Sequence, residues 1–443
     1  MIGQIRKVSG SVITATGLAS AKLGDVVYVG EAKLLGEIAR LTGDAAWIHL
    51  CEDARGLRPG DPVICAGHPM EIELGPGLLG GFYDGIGRSW TTLYAKTGDI
   101  LTPGVQAPTI DRDKRWAFKP GVTVGTKLVP GDVIGTVQET PGISHKVLVP
   151  VGISGTVAEV HSGERTVEET LAIVRAADGA DHKLSMLQRW PIRIPRPVQR
   201  RHLSDTQIQT GIGAIDTRFP LFHGGTASLV GADGSGRALL EQLSAACTDI
   251  DVIVYICPGG RGADMAETFR ALSEQRDPKT SEPLIHRTVF VASPDGTPAA
   301  MREAAIPTGR TIASYYRDMG LDVLVIADTL AGWVGALSAT SGLMGTAAYE
   351  GGPPVDLGTR LGQFYAAAGT VTCLGSDRRQ GRLSAIGVVP PELPMSESYR
   401  IARRLSAAVW EIGDTPPDGA DFTEISAVTS YSRYADGQED DHD

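Results

Sequence analysis

The sequence predicts a multidomain chain. It should hold an N-terminal β-barrel, an inserted β-rich module, and an α/β domain with a mainly parallel sheet. Three observations carry this expectation. The first seventy or so residues alternate short β-rich runs with glycines, the spacing of a small barrel. A second β pattern, rich in turn dipeptides, returns between about 111 and 175. From Gly211 onward, short apolar runs alternate with helix-like stretches, the pattern of a parallel sheet covered by helices. A length of 443 residues agrees with several units. The expected divisions are 1–72 for the barrel, 73–110 for a junction, 111–185 for the module, 186–434 for the α/β domain and 435–443 for an acidic, disordered tail.

The barrel strands are expected at 4–8, 11–14, Asp25–Val29 and 46–50, punctuated by Gly10, Gly17, Gly24, Gly43 and Gly60. Gly75, Gly77, Gly80 and Gly81 then crowd the junction, which calls for positive φ or close backbone approach. In the module, Gly131-Asp132 and Pro141-Gly142 mark turns, and 147–149 and Gly155–Val160 read as strands. In the last domain the strand-like runs are 252–256, 289–292, 323–327, 371–374 and 384–388, with a helix over 298–319 that contains Pro307.

Composition narrows the class. The chain is 42% hydrophobic and 21% charged, ordinary for a globular protein. A net charge of −11 gives no support to nucleic-acid binding. The basic run 193–201 is interleaved with Pro195 and Pro197 and reads as an extended linker. Cys51, Cys65, Cys247, Cys257 and Cys373 are odd in number and lack metal spacing, which fits buried thiols in a reducing cytosol. No apolar run approaches the ~18 residues of a membrane span, so no direct membrane insertion and a cytoplasmic location are expected.

The chemistry concentrates at Gly231, Ala232, Asp233, Gly234, Ser235, Gly236, Arg237 and Ala238. The stretch follows the apolar run 227–230 and precedes a helical pattern with Leu239, Leu240, Leu243, Ala246 and Cys247 on one face. That is the setting of a phosphate-binding P-loop, G-x-x-x-x-G-K-[ST], in a RecA-type nucleotide-binding domain. The glycines are in place. Arg237 replaces the lysine that reaches phosphate, and Ala238 replaces the hydroxyl that ligates Mg²⁺. Arg is planar and bulkier than Lys and is not its equivalent. Asp233 brings a carboxylate to the loop, either toward the phosphate nest, where it would oppose an anion, or toward solvent.

The chain resembles the catalytic A subunit of V/A-type rotary ATPases along nearly all its length. Gly60-Asp61-Pro62-Val63, and Glu73 to Leu78 through Phe82-Tyr83-Asp84-Gly85-Ile86, resemble the family's barrel-to-core junction. Gly131 to Thr140 and Thr166-Val167-Glu168-Glu169-Thr170 resemble the insert that marks the catalytic type and is missing from the B partners. Gln188-Arg189-Trp190-Pro191 and Ser314 to Gly320 fit as well. Against the family's GPFGSGKT stands GADGSGRA, and against GCGERGNEM stands Cys257 to Met265. The resemblance places Gly260 where the family keeps its catalytic glutamate, with Asp264 four residues further on. Asp328, after the run 323–327, matches the acidic position that holds Mg²⁺ through water, or else it caps a turn or helix. The family's STSRW has become Thr329-Leu330-Ala331-Gly332-Trp333. Phe422 and its neighbours resemble the family's HFPAINWLTSYS, which implies a nucleotide-contacting role for Phe422. A helical domain facing the rotor stalk follows in the family, whereas this sequence ends within a dozen residues of Ser432. The usual coupling surface is therefore expected to be missing.

What the resemblance implies is a degenerate A-type subunit, forming homo- or hetero-oligomers with a V-type B-like subunit. It would bind ATP or ADP weakly or not at all, with Mg²⁺ binding doubtful and no catalytic residue intact. Two readings stand beside it: a divergent but active ATP-hydrolysing enzyme, and an anion- or protein-binding module on the same fold.

Overall fold

The computed structural model describes residues 1–231, 234–345, 354–390, 397–412 and 425–434. The acidic tail and Phe422 lie outside these residues. Six antiparallel strands open the chain: β1 (Ile2–Ser9), β2 (Val12–Thr16), β3 (Asp25–Val29), β4 (Leu34–Thr42), β5 (Ala45–Leu50) and β6 (Pro62–Pro69). They close into a barrel in the order β1-β2-β5-β4-β3-β6. Inward residues such as Ile13, Val27, Ile38 and Ile48 are buried, the alternation that closure requires. Sequence pattern alone missed β4 and β6. β4 carries Gly36, Glu37 and Arg40, and β6 has a proline at each end, composition that disguises strands.

Next come β7 (Glu71–Leu74), β8 (Phe82–Tyr83) and α1 (Trp90–Thr97). β8 pairs in parallel with the main sheet of the last domain, so part of the expected junction belongs to that sheet. The module contains β9 (Trp116–Pro120), β10 (Lys127–Leu128), β11 (Val133–Thr140), β12 (Ile143–Leu148), β13 (Gly155–Val160), β14 (Gly163–Arg165), β15 (Ala172–Arg175) and β16 (Asp181–Leu184). These form two four-stranded antiparallel sheets, β10-β13-β15-β16 and β12-β11-β9-β14. The chain re-enters the core through β17 (Gln188–Pro191), which pairs with β7.

A buried polar knot fixes the module to its neighbours. Glu139 of β11 accepts hydrogen bonds from the Gly77 and Leu79 amides at 2.8 and 3.2 Å and from Tyr316 Oη at 2.9 Å. His145 of β12 lies 2.6 Å from the same carboxylate and 2.9 Å from Tyr315 Oη. Burial alone would push Glu139 up, but His145 and the two amides hold it below the usual carboxylate range.

The last domain contains β18 (Arg200–His202), α2 (Gly213–Arg218), β19 (Thr226–Val230), α3 (Ser235–Ala246), β20 (Val252–Cys257), α4 (Gly262–Glu274), β21 (Thr288–Ala292), α5 (Ala299–Asp318), β22 (Asp322–Ala327), α6 (Leu330–Met344), α7 (Leu357–Tyr365), β23 (Gly369–Thr372), β24 (Gln380–Val389), α8 (Glu397–Leu405), β25 (Ala408–Glu411) and β26 (Tyr431–Ser432). The strand order is β26-β25-β19-β24-β22-β20-β21-β8, with β23 and β18 branching from β24. All pairs from β25 to β8 are parallel. Nearly every residue of β20, β21 and β22 is buried, as expected for strands covered on both faces.

Pro307 does sit inside a helix, the 20-residue α5. A proline there supplies no N–H to the carbonyl four residues earlier, that of Glu303. The Trp333 indole donates to that carbonyl at 2.9 Å, so a side chain of α6 replaces the lost helical bond. All five cysteines are free thiols, four of them buried. Among the described residues no helix is long and apolar enough to cross a membrane.

Candidate functional site

The loop identified in the sequence leaves β19 at the C-terminal edge of the parallel sheet, where open α/β sheets hold ligands. The Gly231 amide donates to Val389 O at 3.1 Å. Gly234 has φ +90° and turns the chain into α3 at Ser235. Ser235 folds back over the loop, its Oγ only 2.3 Å from where a Cβ at 231 would lie. Ala232 and Asp233 lie outside the described residues. At Gly236 a Cβ would stand 2.5–2.8 Å from the Asp328 carboxylate. Glycine there lets Asp328, just past β22, lie directly against the first turn of α3.

Arg237 reaches sideways instead of into the loop. Its Nη1 is 2.8 Å from Glu267 of α4, and its Nε is 3.3 Å from Glu241 one turn along α3. Partial burial works against its charge, yet the Glu267 hydrogen bond and both carboxylates hold its pKa above the ordinary value. Two anions thus answer the one cation of the loop motif. Ala238 is half-buried, packs against the apolar core beneath the loop, and offers no oxygen ligand.

Asp328 is buried, at 8% exposure. It accepts a hydrogen bond from Tyr255 Oη of β20. Burial and the neighbouring Asp328 charge push the Tyr255 phenol well up, so it remains a donor. The cap of α6 belongs to Thr329, whose Oγ1 accepts from Gly332 N at 3.3 Å.

Gly260 lies in the loop between β20 and α4. Its φ is +104°, its carbonyl accepts from Asp295 N at 2.8 Å, and the atoms nearest a Cβ would be Cys257 Sγ and Met265 Cε, each at 3.9 Å. Space exists for a side chain there, but the backbone conformation suits glycine alone. One residue earlier the loop touches α6: a Cβ on Gly332 would meet Pro258 O at 3.2 Å and Gly259 Cα at 3.3 Å. Asp264 sits in the first turn of α4, half-buried and paired with Arg261 at 2.8 Å. Burial keeps the nearby Cys257 thiol protonated.

The structure therefore gathers Gly231, Gly234, Ser235, Gly236, Ala238 and Asp328 at one sheet edge, while Arg237 leans toward α4. Tyr255 and Glu267 were not legible as participants, and Thr329 stood in the motif after β22 without its role as the cap of α6 being legible. Tyr255 is the one hydroxyl in an otherwise apolar strand, a weak signal. Glu267 arrives from a separate helix, and only Glu241 could have been found, by its four-residue spacing.

A barrel followed by an inserted sandwich and a parallel-sheet domain with a glycine-rich loop defines a class of nucleotide-binding subunits. The β-barrel domain of the ATP synthase alpha/beta family matches residues 5–67, its barrel-sandwich domain 107–193 and its nucleotide-binding domain 211–395. The V-type ATP synthase alpha chain of Thermoanaerobacter sp. is 42% identical over 440 residues, covering 99% of this chain and 75% of that protein. That of Acetivibrio thermocellus is 43% identical over 436 residues, covering 98% and 74%. The A subunit of the A-type ATP synthase of Methanopyrus kandleri is 41% identical over 440 residues, covering 99% and 74%. The chain belongs to the ATP synthase alpha/beta family, as a homologue of the V-type alpha chain and of its A-type counterpart.

Proposed function

We propose that this chain is a non-hydrolysing A-type subunit that builds a ring with a B-like partner at the cytoplasmic side of a membrane complex. The observation that carries the reading is Arg237 bound to Glu241 and Glu267. In phosphoryl transfer, catalysis is almost wholly charge placement around the phosphates, and here that charge is already answered by protein. Three further features support the reading. Ala238 has no metal-binding oxygen. Gly260 lacks a carboxylate and holds a backbone that disfavours one. Asp328 is engaged by Tyr255 and packed on Gly236, which does not fit an open metal position. The amides at the start of α3 still offer a field for an anion. Nucleotide binding is accordingly weak and little changed by Mg²⁺, with contacts from residues 231–238 and from Phe422. The divisions 1–72, 73–110, 111–185, 186–434 and 435–443 are proposed as the working units of the protein.

Calorimetric titration with ATP and ADP, with and without Mg²⁺, tests the reading, together with an ATPase assay alone and beside the co-expressed B-like chain. Expected are weak, metal-insensitive binding and no turnover above background. A turnover in the usual enzyme range of ~1–10³ s⁻¹, or affinity that rises sharply with Mg²⁺, overturns it in favour of a divergent active enzyme.

A further inference from the structure

A second polar cavity, of about 230 Å³, lies away from the loop, between the segment after β17, α5 and α7. Its walls include Arg193, Arg310, Arg360, Glu303, Asp356 and Trp333. Two of the three guanidinium groups are fully answered. Arg193 lies 2.6 Å from both Glu37 and Glu303. Arg360 pairs with Glu303 and Asp356, each at 2.9 Å.

Arg310 differs. It is only 8% exposed, and its described partners are two neutral backbone carbonyls, Gln363 O at 3.3 Å and Ile192 O at 3.1 Å. No carboxylate among the described residues pairs with it. A buried cation without a counter-charge is costly, and a guanidinium carries five donors. Burial and the nearby Arg193 charge both work against its protonated form. The space beside it is ample: a single water needs about 10–15 Å³ of such volume. Pro307 and the Trp333 indole on the Glu303 carbonyl form part of the same wall.

We propose that this cavity is an oxyanion site that takes a phosphate group, with Arg310 as its anchor and Arg360 and Thr359 at its mouth. A guanidinium is planar and suits bidentate contact with phosphate, and an anion here supplies the charge that no carboxylate gives Arg310. The site is independent of the glycine-rich loop and of the function proposed above.

The test is calorimetric titration of the full chain with inorganic phosphate at constant ionic strength, with chloride as the control. A parallel arm with glycerol phosphate separates a free anion from a phosphorylated metabolite. Saturable phosphate binding is expected, weakened about 10- to 100-fold in Arg310→Met by loss of charged hydrogen bonds. Thr359 is exposed and lines the cavity, so Thr359→Glu places a competing carboxylate there without threatening the core. It should weaken phosphate binding even if Arg310→Met fails to fold. Absence of saturable binding in the parent chain overturns the proposal, as does binding that survives Thr359→Glu.

Discussion

Restoring a carboxylate at position 260 should damage the fold without creating an enzyme. The perturbation is Gly260→Glu. With φ at +104°, any L-residue there is strained, at about 1–3 kcal/mol. A Cβ meets nothing nearer than 3.9 Å, so packing adds little and the loss is one of backbone strain. Gly260→Ala should therefore lose the same stability as Gly260→Glu, which separates backbone strain from any effect of the new charge. A well-placed general base is worth ~10²–10⁴ in rate, but only when the phosphates and metal are already held. Arg237 remains on its two glutamates and Ala238 still offers no ligand, so hydrolysis should stay at background. Urea midpoints for parent, Ala and Glu forms, with a coupled ATPase assay, make the test. A Glu variant as stable as the parent, or one that turns over ATP, refutes the reasoning.

The same geometry gives three more expectations. Glu241→Gln with Glu267→Gln releases Arg237 from two ion pairs, and since such pairs contribute about 0.2–1 kcal/mol each, ADP affinity measured by calorimetry should rise roughly 2- to 30-fold; unchanged affinity would place the guanidinium out of reach of the phosphates. Burial, opposed by Glu303 and reinforced by Arg193 and Arg360, lowers the pKa of His49 to about 4. The neutral form is thus favoured in the native state, and the stability it supports is complete above its ordinary pKa of about 6.5 and lost as pH falls toward 4; the span is worth about 3 kcal/mol, and His49→Gln should flatten this acid limb in urea unfolding. Light scattering should find the chain in closed rings or pairs with a co-expressed B-like partner, with no need for nucleotide, and a strict monomer in that mixture counts against assembly.

Much of the fold was legible because its determinants are local. The apolar runs at 252–256 and 323–327 fall inside β20 and β22, which extend them by a residue at one end, since doubly covered strands must be apolar throughout. Asp25–Val29 and Gly155–Val160 were bounded by turn residues on both sides. β4 stayed hidden because it carries two charged residues, Glu37 and Arg40, and its Gly36 interrupts the pattern. At the site, the sequence marks which residues stand in the loop but not where their side chains turn. Asp328 offered both a metal role and a cap. Only tertiary contact assigns the cap to Thr329 and sets Asp328 between Tyr255 and Gly236. Glu303, Arg193 and Arg310 come from segments more than a hundred residues apart in places, so no spacing rule could have joined them.

The departures at the loop are physically coupled, and that coupling bears on how they should be reversed. Gly332 brings α6 so near the loop that a Cβ there would stand 3.3 Å from Gly259 Cα, so an arginine at 332 would require the loop of residues 258–260 to retreat by a few tenths of an ångström. That same loop fixes Gly260 at positive φ through its bond from Asp295. A glutamate at 260 and an arginine at 332 thus oppose the same backbone conformation, one through strain and one through close contact. Together they should be less destabilising than the sum of the two single changes, because one loop movement relieves both; residues in contact are where additivity fails. A double-mutant cycle on Gly260→Glu and Gly332→Arg, read by urea unfolding, should give a favourable interaction of about 0.5–3 kcal/mol. Strict additivity would mean that the loop does not move as a unit, and the two positions would then have to be explained separately.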